Sequence, residues 1–344
     1  MAIFSGEKWF SVDMSDLGFP AMRAGTVDFY GDDFIRYRTG ANGADQDLMH
    51  GQFVFDVARR LASGQMDNFE AWLSGYKHYE IAGFSISATA FVKDPQGALS
   101  VMLAGNDTVT GSPFDDVLLG FEGNDLIKGV AGFDTIDGGG GDDTILVGLA
   151  PLEQHLLRGG AGNDQMTGGS AFDDMNGNTG NDTLHGLDGA DWVVGGQDHD
   201  ALFGENGNDI VYGNLGNDTA DGGAGNDLVR GGQGNDSLVG GAGNDWLSGD
   251  RGDDTVSGGS GADVFHTFSG AGIDRVLDFN YAEGDRVQFD PPTDPTTVYS
   301  VSQSGADVVI TFTEQVNGEA VVTAVTTLVG VSLASLPSDW IFGA

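Results

Sequence analysis

The segment GGQGNDSLVGGAGNDWLSGDRGDD, residues 231–254, sets Asp236, Asp245 and Asp254 nine residues apart, with glycine ahead of each and an aliphatic residue two places after it. Carboxylates and turn carbonyls are hard oxygen donors, a set suited to holding a hard cation. Like charges repeated so regularly repel one another unless a positive partner lies between them. The spacing extends far beyond this segment. On the pattern GGxGxDxUx, with U a large apolar residue, the phase holds from Met102 to Leu146 as five units and resumes from Gly159 to His266 as twelve. Aspartate fills the sixth position of every unit: Asp107, Asp116, Asp125, Asp134, Asp143, Asp164, Asp173, Asp182, Asp191, Asp200, Asp209, Asp218, Asp227, Asp236, Asp245, Asp254 and Asp263. These seventeen carboxylates are the candidate metal ligands.

A turn and a strand in each unit must position them. In the unit beginning GGAGND at Gly240, the glycines permit backbone angles that a Cβ forbids, so the chain turns tightly and aims carbonyls into the turn. Trp246, Leu247 and Ser248 then read as a strand too short to stand alone, with Leu247 inward and its neighbours outward. The equivalent inward positions are Val109, Leu118, Ile127, Ile136, Ile145, Met166, Met175, Leu184, Val193, Leu202, Val211, Ala220, Val229, Leu238, Leu247, Val256 and Phe265, which form two stacked apolar ladders. Two units make one coil of eighteen residues. Asp227 is therefore expected near Asp245 rather than Asp236, with a cation between them.

Calcium fits that cage best. It takes six to eight oxygens, whereas magnesium holds its waters and demands octahedral geometry, and zinc wants the His or Cys that the turns do not offer in any pattern. With a dissociation constant of about 0.1 mM per site and about 1 mM calcium outside the cell, each ion adds roughly 1.4 kcal/mol. A dozen sites then supply on the order of 15 kcal/mol, comparable with the whole stability of a domain. Without calcium, charge repulsion and glycine entropy are unopposed, and the array is expected to be unfolded. Some turns should be weaker, because Phe114, Ala171 and Asp198 stand at the fourth position where glycine is expected. His199 reads as a variable solvent-facing residue rather than a ligand. Residues 147–158, VGLAPLEQHLLR, break the period, either as a degenerate coil with Leu157 in the inward place or as a bulging loop.

The repeat closely resembles the calcium-binding nonapeptide of the RTX (repeats-in-toxin) proteins. That resemblance implies an all-β fold: a right-handed parallel β-roll flanked by β-rich N-terminal and C-terminal capping regions. Residues 265–290, with Asp274, Val276, Asp278 and Phe279 and then Gly284, Asp285, Val287 and Phe289, resemble the segment that follows the roll in secreted RTX proteases. The family pattern there is two strands around an acidic turn. Asp339, Trp340, Ile341 and Phe342 resemble the uncleaved carboxy-terminal signal read by type I exporters, although Gly343 and Ala344 follow the apolar triplet. An ordinary last strand is the alternative. Type I secretion machinery is thus an implied partner, and an extracellular or cell-surface address is implied with it.

Composition agrees with cations as partners. A net charge of −38 with 58 glycines suggests disorder, yet 21 phenylalanines and regular aliphatic spacing argue for a core. So acidic a chain is a poor match for nucleic acid or an anionic membrane. There is no cysteine for disulfides. The opening MAIFSGEKWF lacks the charged and apolar regions of a cleaved leader, and no stretch is long and apolar enough to span a bilayer. Taken alone, those absences would favour the cytoplasm.

Three domains are expected: 1–101, β-rich and of unreadable role; 102–266, the roll with its irregular insert at 147–158; and 267–344, a β cap carrying the export signal. Alternation over 298–328 predicts antiparallel strands in that cap. Within 1–101, FVFDVARRLASG and DNFEAWLSG could each make a short helix. The cluster Tyr76, Lys77, His78, Tyr79 and Glu80 has residue types for acid–base work, and Trp9, Trp72 and Tyr79 could stack on sugars. The sequence contains neither HExxH nor GxSxG, so the protease and lipase branches of the family are set aside. A non-enzymatic surface, matrix or self-assembling component is favoured. An extracellular enzyme or polysaccharide-binding protein with its site in 1–101 is the alternative.

Overall fold

The structure, a computed structural model, describes residues 105–111, 115–149, 153–290 and 297–343, together with the backbone of seven strands before them. Two compact units divide the chain, Met1–Gly148 and Leu149–Ala344. The boundary falls inside the stretch 147–158 where the period breaks. The first three residues of the array, Phe114, part of the irregular insert and the side chains of the Tyr76–Glu80 cluster, Trp9 and Trp72 lie outside the described residues.

In the first unit, the strands Gly25–Tyr30, Phe34–Thr39, Gln52–Asp56, Asn68–Leu73 and Tyr76–Ala82 pair antiparallel. The FVFD and NFEAWL parts of the two segments that could have been short helices are strands, and VARRLASG lies outside the described residues. Further on, Thr108–Thr110, Leu126–Lys128 and Thr144–Leu146 stack in parallel with Val109, Ile127 and Ile145 in register. Leu118 and Ile136 align the same way in a second sheet.

The second unit repeats this plan over many more coils. One sheet stacks Gln165–Thr167, Thr183–His185, Ala201–Gly207, Thr219–Ala224, Ser237–Ala242 and Thr255–Ser260. The other stacks His155–Ala161, Asp173–Thr179, Trp192–Gln197, Ile210–Leu215, Leu228–Gln233, Trp246–Arg251 and Val264–Thr267. The register is eighteen residues, as in Val229 with Leu247. All seventeen inward positions are buried, which makes the two ladders the core. Leu157 is fully buried opposite Met175, so the irregular stretch still delivers an inward residue.

From Trp192 to Ser260 the strands of the array run six or seven residues, whereas Gln165–Thr167 and Thr183–His185 keep the expected three. Trp246–Arg251 runs six, because pairing resumes after Gly249 with Asp250 opposite Gly232 and Arg251 opposite Gln233. Where pairing resumes, the second position of the unit takes a positive φ, as at Gly232 (φ 112) and Asp250 (φ 69); Val130 and Gly169 do not, and the strands before them end at three residues.

Beyond the repeats, Ile273–Val276 lies parallel to Thr255–Ser260, and Arg286–Phe289 lies parallel to Val264–Thr267. Val298–Ser304, Asp307–Val316 and Glu319–Leu328 form an antiparallel meander, and its last strand pairs with Ile273–Val276. Ile341–Gly343 adds to Arg286–Phe289. Trp340 is buried edge-on to Phe279, which in turn packs on Phe265. Side chains of this region therefore close the last coil, whose exposed edges would otherwise offer unpaired strands.

Candidate metal centre

Each repeat aspartate is buried, and its two oxygens have different fates. Oδ1 accepts the backbone N–H of the aspartate one coil earlier. Asp209 donates to Asp227 at 2.8 Å, Asp227 to Asp245 at 2.8 Å, and Asp245 to Asp263 at 3.0 Å. The same rung is made in the first unit, from Asp107 to Asp125 and from Asp116 to Asp134. Asp227 is thus beside Asp245, as the eighteen-residue coil requires.

Oδ2 is tucked against the first glycine of its own unit. A Cβ on Gly240 would stand 2.5 Å from Asp245 Oδ2 and 2.6 Å from the carbonyl oxygen of Gly258. For Asp125, Asp182, Asp191, Asp200, Asp209, Asp218, Asp227, Asp236, Asp245 and Asp263, this oxygen is buried with no hydrogen-bond partner among the described residues. Asp173 is an exception, since Gly169 N–H donates to its Oδ2 at 2.6 Å. Leaving so many buried acceptors unsatisfied costs roughly 1–3 kcal/mol each, and more where they are charged.

Burial accordingly pushes these carboxyls upward, to about 7 at Asp125, Asp200, Asp236 and Asp245 and to about 8 at Asp191. The N–H bond to Oδ1 opposes the shift, while the charge of stacked aspartates adds to it. A cation against Oδ2 would satisfy the orphaned oxygen and reverse the charge penalty together. Among the described residues no three His, Cys, Asp or Glu side chains converge on one point. Turn carbonyls must therefore complete any cage, which suits calcium's oxygen preference and coordination number.

A second ladder runs outside the first. At the fifth position Asn226 N–H donates to Asn208 Oδ1, and Asn244 N–H to Asn226 Oδ1. His199 is exposed, as its reading as a solvent-facing residue expected, and it also takes a place in this ladder: its N–H donates to Asn181 Oδ1, and its Nδ1 accepts from Asn217 N–H at 2.8 Å. Asp198, in the same altered turn, carries φ 76 where glycine is usual, and Ala171 does not take a positive φ, so its turn departs from the others.

Two rungs escaped the nonapeptide pattern. Asp254 N–H donates to Asp274 Oδ1 at 3.3 Å, and Asp263 N–H to Asp285 Oδ1 at 3.0 Å. Both carboxylates are buried and raised by burial and by their neighbours. Their separations are 20 and 22 residues, which a fixed period overlooks; the aspartates of the acidic turn were the available signal. Asp278 braces the same region by accepting from Gly258 N–H, Gly259 N–H and the Ser257 hydroxyl. Conversely His155, not a carboxylate, holds the ladder place before Asp173, to whose Oδ1 its N–H donates at 3.0 Å.

Residues 103–129, 119–149, 156–175, 167–202, 194–229, 203–238 and 230–265 match the family described as RTX calcium-binding nonapeptide repeat (4 copies). Among solved structures, the chain is similar to the AlgE6R2 subunit of the Azotobacter vinelandii mannuronan C5-epimerase, at 25% identity. That match covers 44% of this chain and 92% of that one, with a TM-score of 0.27. It is also similar to the extracellular lipase LipA from Serratia marcescens, at 17% identity over 59% of this chain and 45% of that one, with a TM-score of 0.25. At such scores neither likeness bears on activity. No curated protein matches the chain.

Proposed function

The chain carries an array of RTX calcium-binding nonapeptide repeats folded as a parallel β-solenoid, and on that premise we propose a secreted protein whose roll is stable only with calcium bound between its stacked turns. The observation that carries this reading is the row of buried, partnerless Oδ2 atoms, repeated coil after coil. Asp107, Asp116, Asp125, Asp134, Asp143, Asp164, Asp173, Asp182, Asp191, Asp200, Asp209, Asp218, Asp227, Asp236, Asp245, Asp254 and Asp263 are the proposed side-chain ligands, and Asp274 and Asp285 extend the set. Turn carbonyls supply the remaining oxygens. Asp173, whose Oδ2 already accepts a backbone N–H, and the turn at His155 are the poorest positions.

Calcium supplies the positive charge that facing carboxylates need. Where calcium is scarce the chain stays open and can pass through an export channel; where calcium is plentiful it folds and is retained outside. The acidic and apolar run Asp339 to Phe342 supports export by a type I route. With neither HExxH nor GxSxG in the sequence, the reading is of a non-enzymatic surface or matrix component.

Far-UV circular dichroism of the full chain, titrated with calcium from strong chelator at pH 8, tests the conditional fold. β-structure is expected to appear cooperatively with calcium. A full β signal already present in chelator would overturn the reading.

A further inference from the structure

The antiparallel meander of the second unit begins with Val298–Ser304, which pairs with Asp307–Val316 on one side and has no main-chain partner on the other among the described residues. Edge strands are ordinarily guarded against further pairing by charge, proline, a bulge or brevity. This one has none of those guards. It runs seven residues, VYSVSQS, without a charge or a proline, and its register from Val298 opposite Thr313 to Ser304 opposite Asp307 is unbroken. The strand at the margin of the other sheet, Ile341–Gly343, is three residues long. Val298 is 60% exposed and Tyr299 43%, and of the seven residues only Val301 is better covered.

The strand is also held in its extended shape. At one end Gln303 Oε1 accepts from Leu333 N–H at 2.6 Å, while Gln303 Nε2 donates to the carbonyls of Asp307 at 2.9 Å and Val331 at 3.2 Å. Along the face turned to the core, Tyr299 lies opposite Phe312 and Val301 opposite Ile310, and the Tyr299 ring centre is 4.6 Å from that of Phe289. A second strand would thus meet a partner that loses little freedom on pairing.

We propose that this edge pairs antiparallel with the same strand of a second copy, about a two-fold axis at Val301. Charge selects that occupant. Two chains of net charge −38 approach closely only where neither carries a charge, and a strand bearing basic or acidic side chains would find no opposite charge on VYSVSQS. The strand is its own complement as well. With Val301 on the axis, Ser300 faces Ser302 of the second copy, Tyr299 faces Gln303 and Val298 faces Ser304, so hydroxyls meet hydroxyls and no like charges are opposed. Seven paired residues bury less than the roughly 1,600 Å² of a standard interface, so the dimer should be weak, with a dissociation constant on the order of 10 μM. The inference rests on the calcium-held roll, whose cap presents the strand, and it gives the surface or matrix reading a surface for self-association.

The test is sedimentation equilibrium of the full chain in millimolar calcium, from about 1 to about 100 μM, with circular dichroism on the same samples. A monomer–dimer equilibrium is expected. Ser300→Glu with Ser302→Glu opposes like charges twice across the axis and should weaken the dimer about tenfold. Ser300→Lys with Ser302→Glu instead sets lysine opposite glutamate twice and should keep the dimer, most firmly at low salt. Both serines are exposed, so both variants should keep the parent's β-structure. A folded chain that stays monomeric, grows beyond dimers, or responds alike to the two double substitutions overturns the inference alone. So does a monomer in which every amide of Val298–Ser304 resists hydrogen exchange, since the chain's own residues would then cover the edge. A chain without β-structure in calcium overturns it together with the conditional fold.

Discussion

The repeat aspartates of the regular coils, such as Asp209, Asp227, Asp236 and Asp245, are half satisfied: Oδ1 holds a backbone N–H, and Oδ2 is buried against glycine. Asp245→Asn keeps the size and the Oδ1 rung while removing the charge. In saturating calcium it should bind fewer ions and melt lower; at limiting calcium and pH 8, where folded turns stand partly unfilled, it should be more stable than the parent, because burial holds Asp245 at about 7 and its ionised form is the penalised one. Calcium-dependent melting of the two proteins checks this, and a change of the same sign in both conditions would contradict it. The sequence made these positions legible because one residue type at one spacing has one use. It hid Asp274 and Asp285, whose spacing differs, and it hid the structural role of His199, whose Nδ1 stands in for an asparagine oxygen.

At the scale of turn and strand, glycine is a steric requirement. A Cβ on Gly225, at φ 148, would overlap the carbonyl oxygen of Gly207 one coil away. Gly225→Ala should therefore cost about 2 kcal/mol or more even in saturating calcium, measured by chemical denaturation. A cost near zero would mean that neighbouring coils do not approach so closely. The inward ladders were readable because period-two alternation survives even in three-residue strands. Strand length was not, because a propensity reading ends a strand at paired glycines, whereas Gly232 and Asp250 turn left-handed and let pairing resume.

At the scale of the molecule, the charge of −38 makes proton and cation alternatives. The carboxyls are raised in the fold, from 3.8 to about 7 at Asp236 and to about 8 at Asp191, so the folded chain binds more protons than the unfolded one. Calcium-free stability should then be greatest in mild acid and fall as pH rises from about 4 to 8. Calcium affinity should move oppositely, since protons compete for the same oxygens. Melting in chelator across this range is the check, and stability that rises with pH would contradict it. The most direct measurement is anomalous scattering from crystals grown in millimolar calcium. Peaks beside Oδ2 of Asp227, Asp236 and Asp245 are expected; ordered turns without a peak would contradict calcium as the partner of these carboxylates.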